Sequence, residues 1–62
     1  MSGMDDMTLT YLVAELAFRL GKYREALQFL SRIIGNSNVA FRIKDKAVDL
    51  KERIRTKIKE GQ

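Results

Sequence analysis

The chain has 62 residues and contains no cysteine, histidine, tryptophan or proline. Its length allows one small domain, and the lack of cysteine excludes disulfides, thiolate nucleophiles and thiolate zinc sites. Histidine, the commonest metal ligand and the usual general base near neutral pH, is also missing. These exclusions predict a binding protein that is not an enzyme and that needs no metal or cofactor.

Basic residues are concentrated in the last third of the chain. The net charge is +4, from 12 lysines and arginines against 8 acidic residues. Residues 1–38 hold four of each sign, whereas residues 39–62 hold eight basic and four acidic residues and carry the whole +4. This asymmetry favours either a surface for acidic partners or a helix face that is simply solvated.

The sequence shows neither a secretory signal nor a membrane span. No segment approaches the roughly 20 apolar residues that a membrane helix requires. Asp5 and Asp6 stand where a secretory signal would carry lysine or arginine. We therefore expect a cytoplasmic protein, with residues 1–6 as an added leader, residues 7–59 as the domain and residues 60–62 as a tail.

Helical spacing runs through the chain and predicts three helices, an all-α fold. The first helix ends at Gly21, and Asp5, Asp6 or Thr8 can cap its start. One of its faces carries Leu9, Leu12, Val13, Leu16, Ala17 and Leu20. A second apolar face beside it carries Tyr11, Ala14 and Phe18. A helix that is apolar around so much of its circumference needs partners on two sides.

The second and third helices are predicted over residues 22–34 and 39–59. The short link at Gly21 and Lys22 forces the first two helices into an antiparallel hairpin. Residues 35–38 provide a stop, a turn and a new N-cap. The third helix has a narrow apolar stripe and should cover one surface only: Ala40, Ile43, Ala47, Leu50, Ile54 and Ile58.

The hairpin carries a recurring pattern of small, aromatic and aliphatic residues: Ala14, Ala17, Leu20-Gly21-Lys22-Tyr23, Glu25-Ala26-Leu27, Leu30 and Ile33-Ile34. With this pattern it resembles a tetratricopeptide repeat, a helix-turn-helix unit with small residues at the helix contact. Two features depart from the repeat: its early aromatic is displaced to Tyr11, and residues 36–38 replace the proline that commonly follows the second helix. The resemblance covers residues 7–40 and implies a third helix in the place of a following repeat or a cap.

A narrower resemblance extends over residues 11–54. The string YLVAELAFRLGKYREALQFLSRII, followed by RIKDKAVDLKERI, is similar to the C-terminal end of a bacterial family of uncharacterised proteins. In that family a cysteine-rich part precedes tetratricopeptide-like helices. The resemblance implies that this chain is a fragment that lacks such a part.

The resemblance to tetratricopeptide repeats places a candidate partner-binding surface on the concave side of the hairpin. We assign to it Tyr11, Glu15, Phe18 and Arg19, and we assign Phe29 of the second helix to partner binding as well. The lysine and asparagine clamp that such domains use for a peptide carboxylate has no counterpart, since Tyr11 and Glu15 occupy the matching places. The alternative interpretation is that Tyr11 and Phe18 pack under the third helix or against a neighbouring chain.

The basic third helix offers a different candidate surface. Lys44, Lys51, Arg55, Lys57 and Lys59 could contact nucleic-acid phosphates. Carboxylates are interspersed among them, and Phe41 is the only aromatic nearby, so base stacking has little support. Asp45 and Asp49 lie one turn apart but make a poor cation site without further ligands.

These observations predict a non-catalytic protein–protein interaction or assembly module. A hairpin and one amphipathic helix leave apolar surface uncovered, and we expect Tyr11, Phe18 and Phe29 to belong to it. Another copy of the chain is the expected partner, in a homodimer. Nucleic-acid binding through the third helix is the alternative function.

Overall fold

The computed structural model describes residues 6–61 and consists there of three α-helices without strands. They are α1 (Asp6–Arg19), α2 (Tyr23–Ile34) and α3 (Phe41–Gly61). The predicted all-α fold is confirmed. Most of the predicted leader lies outside the described residues, as does Asp5 as a helix cap. Thr8, another predicted cap, lies inside α1.

A tight turn at Gly21 joins α1 to α2, as the sequence predicts. Gly21 adopts a φ of 79°, a conformation that costs glycine little and other residues more. The Gly21 N–H donates to the Phe18 carbonyl at 3.0 Å, and the Lys22 N–H donates to the Ala17 carbonyl at 2.8 Å. This pair of hydrogen bonds is a Schellman motif, which closes α1 and turns the chain back along it.

The connection between α2 and α3 differs from the prediction in the residue at which α3 begins. The Oδ1 of Asn36 accepts a hydrogen bond from the Asn38 N–H at 2.8 Å, so this asparagine side chain shapes the turn. The first hydrogen bonds of α3 run to the Ala40 carbonyl, from the N–H groups of Ile43 and Lys44, each at 3.1 Å. The helix therefore begins at Phe41, two residues later than expected, and the predicted N-cap does not form at residues 35–38. The predicted stop is present, since Gly35 caps the C-terminus of α2 and its N–H donates to the Ser31 carbonyl at 2.9 Å.

The core lies where α2 meets both of its neighbours. α2 contacts α1 and α3 more extensively than those two contact each other. The buried residues of the described chain are few and mostly small or aliphatic: Ala14, Ala17, Ala26, Leu30, Ile33, Val39, Ala47, Leu50 and Ile54. Three of the six residues in the predicted α3 stripe belong to this core. Val39 is buried in the connection, whereas Ala40, which was expected inside, is exposed.

Candidate interaction surfaces

One side of α1 presents leucines to solvent. We call Leu9, Leu12, Val13, Leu16 and Leu20 the apolar face of α1; they are 38–63% exposed. The buried residues of α1 are the small residues Ala14 and Ala17 instead. Of the two apolar faces seen in the sequence, the one rich in leucine is therefore left uncovered, apart from Ala17.

The outer sides of the other two helices are mainly polar. On α2 the exposed residues are Arg24, Glu25, Gln28, Ser31 and Arg32. On α3 the exposed residues are mostly charged, with Phe41 and Val48 as the apolar exceptions. A scattered apolar residue on a surface is ordinary, but five on one helix face form a patch that calls for an explanation.

The aromatic residues assigned to partner binding pack against the core. Tyr11, Phe18 and Phe29 are half-buried there, although the sequence predicts that they are uncovered. The Phe18 ring lies 5.8 Å from the Tyr23 ring, and the Arg32 guanidinium lies 5.8 Å from the Phe29 ring. These neighbours lie within the chain, and a role for the three aromatics in binding a partner stays a prediction.

Tyr11 and Phe18 lie on the side of α1 that faces α3. Burial raises the pKa of the Tyr11 phenol, and Glu15 raises it further. From α3, Arg53 opposes this rise and Asp49 adds to it. Tyr11 therefore lies near α3, which fits the alternative interpretation for this residue, whereas the ring of Phe18 packs against Tyr23 of α2.

A groove of about 400 Å³ separates Phe18 from the charged side of α3. Its other lining residues are Asp49, Glu52, Arg53, Thr56 and Lys57. Arg53 pairs with Asp49 at 3.5 Å, and beside the groove Glu15 pairs with Arg19 at 3.8 Å. Among residues 6–61 no group of three acidic residues could hold a metal ion.

The basic residues of α3 divide between two sides of the helix. Lys44, Lys51, Arg55 and Lys59 follow at intervals of seven, four and four residues, which places them on one side. Exposed Phe41 and Val48 continue the same row at spacings of three and four residues, and we call these six residues the basic row of α3. None of its four basic residues forms an ion pair within the described part of the chain.

Lys57 lies apart from the other predicted nucleic-acid contacts. Its Nζ is 4.0 Å from the Oε1 of Glu60, and its side chain lines the groove beside Phe18. The structure thus brings together four of the five predicted basic residues. Spacing in the sequence already distinguishes Lys57 from the other four basic residues, because Lys57 is two residues from both Arg55 and Lys59 and so lies on another side of the helix.

Comparisons with known proteins identify a bacterial family. A family model described as an uncharacterized protein conserved in bacteria (DUF2225) matches residues 1–54. No curated protein and no solved structure shows significant similarity to the chain. Within residues 6–61, no helix combines the length and the apolar character that crossing a membrane requires.

Proposed function

The chain belongs to the DUF2225 family of uncharacterized bacterial proteins, and we propose that it is a non-catalytic assembly module that binds another protein chain. The observation that carries this proposal is the apolar face of α1. It presents four leucines and a valine on a helix whose opposite side already packs in the core.

The energetics of this face favour an apolar protein partner. Full burial of a leucine side chain is worth about 1.5–3 kcal/mol, so covering a half-exposed leucine should contribute roughly 1 kcal/mol. Leu9 is 53% exposed, Leu16 56% and Leu20 63%, and together with Leu12 and Val13 they can supply several kcal/mol. Part of this gain is offset by the entropy lost on association, which points to a reversible complex. An apolar helix surface on another chain would provide matching side chains.

We further propose that the hairpin is of the tetratricopeptide type. The small residues that the resemblance singles out, Ala14, Ala17 and Ala26, are all in the core. Gly21 provides the left-handed turn, and Tyr23 packs at the closed end of the hairpin against Phe18. Repeats of this kind stack on neighbouring units, which is consistent with an uncovered face on the first helix.

A photo-crosslinking amino acid at Leu16 tests the assembly function directly. We expect the full-length protein carrying it to form a discrete crosslinked protein product in the bacterial cell, because Leu16 lies in the middle of the apolar face. The matched control is the same amino acid at Gln28, which is exposed on the polar side of α2. Products of equal yield at both positions, or no product at Leu16, would contradict the proposal.

Nucleic-acid binding is a second candidate, and the basic row of α3 favours it. Lys51, Arg55 and Lys59 are spaced about 6 Å apart along the helix axis and have no carboxylate partner among residues 6–61. Phe41, 77% exposed at the start of the row, offers one ring on which a base can stack. The row is short, so the expected affinity is that of weak phosphate-backbone contacts.

Paired charge reversals test this second candidate. We expect weak, salt-sensitive binding of single-stranded RNA, with a Kd of about 10⁻⁴–10⁻⁶ M at physiological salt. Lys51→Glu with Arg55→Glu should abolish it, whereas Arg53→Glu with Lys57→Glu, an equal change in net charge on the other side of α3, should retain part of it. Fluorescence anisotropy across a salt series provides the measurement. Equal losses would show general charge attraction, and nanomolar binding by the unaltered chain would rank this function first.

A further inference from the structure

The side chains on the apolar face of α1 follow the spacing of a coiled-coil seam. Leu9, Val13, Leu16 and Leu20 succeed one another at intervals of four, three and four residues, and Leu12 lies beside them. This is the alternation of the two core positions of a heptad repeat. Leu20 follows the last residue of α1, but its N–H still donates to the Leu16 carbonyl at 3.0 Å, so it continues the helical row. The seam is about 16 Å long at the α-helical rise.

This seam is complementary to itself when the second helix runs in the opposite direction. In an antiparallel pair centred between Val13 and Leu16, Leu9 of one chain faces Leu20 of the other, and Val13 faces Leu16. A two-fold axis therefore matches each core position with an apolar side chain from an identical surface, as a closed dimer requires. The outer side of α2 offers no such seam, since its residues there are polar.

The charges around the turn favour the antiparallel direction over the parallel one. Arg19 lies in the last turn of α1, and Lys22 and Arg24 follow it closely; all three are exposed. A parallel pair would bring these lysine and arginine side chains of both chains to one end of the dimer, where their charges, offset in part by Glu15 beside Arg19, would repel each other. An antiparallel pair places three at each end and sets the two helix dipoles in opposition, which is favourable.

We propose that the apolar face of α1 binds a second copy of this chain in an antiparallel α1–α1 contact, with the two-fold axis between Val13 and Leu16. This inference rests on the proposed assembly function and specifies its partner. One short helix per chain covers less surface than an interface of standard size, which buries about 800 Å² per partner. The dimer should therefore dissociate in the micromolar range.

Disulfide trapping tests the direction and the register. The chain has no native cysteine, so Leu9→Cys and Leu20→Cys can each be introduced alone. When equal amounts of the two variants are mixed and mildly oxidised, the antiparallel register predicts a dominant disulfide between position 9 and position 20. A parallel pair would instead give 9–9 and 20–20 disulfides. Those products, or a statistical mixture of all three, would overturn the proposal.

Analytical sedimentation of the cysteine-free chain tests whether a second copy binds at all. We expect the unaltered chain to dimerise with rising concentration, and Leu16→Lys to weaken the dimer at least about tenfold because it places two ammonium groups near the axis. Gln28→Lys is the matched control and should leave the dimer unchanged. Circular dichroism checks that each variant is helical. A monomer throughout would overturn the second-copy proposal, whereas crosslinking from Leu16 to a different protein would leave the assembly function in place.

Discussion

Replacing Ala26 by leucine should destabilise the chain by about 1–3 kcal/mol, the usual effect of overpacking a close contact. Ala26 and Ala14 have no exposed surface, and Ala17 is nearly buried in the same core. Small side chains at this place let α1 and α2 approach closely, so a larger group must push the helices apart or leave its preferred rotamer. For a domain of this size each kcal/mol corresponds to about 4–8 °C in Tm.

The control for this substitution lies two residues away. Gln28→Leu adds the same side chain on the exposed side of α2 and should change the stability by no more than about 0.5 kcal/mol. Thermal unfolding followed by circular dichroism compares the two variants with the unaltered chain. If Ala26→Leu melted at the same temperature as Gln28→Leu, Ala26 would not be a close helix contact.

Local signals in the sequence were sufficient to predict the helices and their hairpin. Gly21 stands between two helical segments, and so short a link forces them into an antiparallel hairpin. In α2 the apolar and polar residues separate cleanly, so the spacing of Ala26, Leu30 and Ile33 identifies the buried side without ambiguity. The start of α3 was predicted less well because Asn36 and Asn38 are both strong cap formers, and the structure uses Asn36 for a turn.

The orientation of α1 could not be predicted from periodicity. Both of its faces are apolar, and hydrophobicity alone favours burying the leucines. The structure buries Ala14 and Ala17 instead, in the same core as Ala26 of α2, and small side chains on both helices allow them to pack closely. In this orientation of α1, Tyr11 and Phe18 lie on the side toward α3, and the leucines are exposed to solvent. The candidate site therefore depends on a packing preference between helices, which a single-helix pattern does not contain.

A substitution of Leu30 by alanine should have the largest effect on the fold. Leu30 has no exposed surface and is one of the largest fully buried side chains, so the expected loss is about 2–5 kcal/mol, from lost burial and the cavity left behind. A single core in a chain below about 70–80 residues rarely supplies more than about 3–5 kcal/mol. The variant should therefore be largely unfolded at room temperature, which circular dichroism and urea titration would show.

Leu16→Ala, the same truncation on the exposed face of α1, should leave the fold intact and weaken association instead. Leu16 is 56% exposed, and alanine is the better helix former, so Leu16→Ala should keep the monomer folded. It should weaken association, because the side chain that it truncates lies next to the proposed two-fold axis. Since binding between folded chains stabilises them, the unaltered protein should melt at a higher temperature as its concentration rises, and Leu16→Ala should lose most of that dependence. If Leu16→Ala instead unfolded as Leu30→Ala does, the leucines of α1 would belong to the core and not to a binding surface.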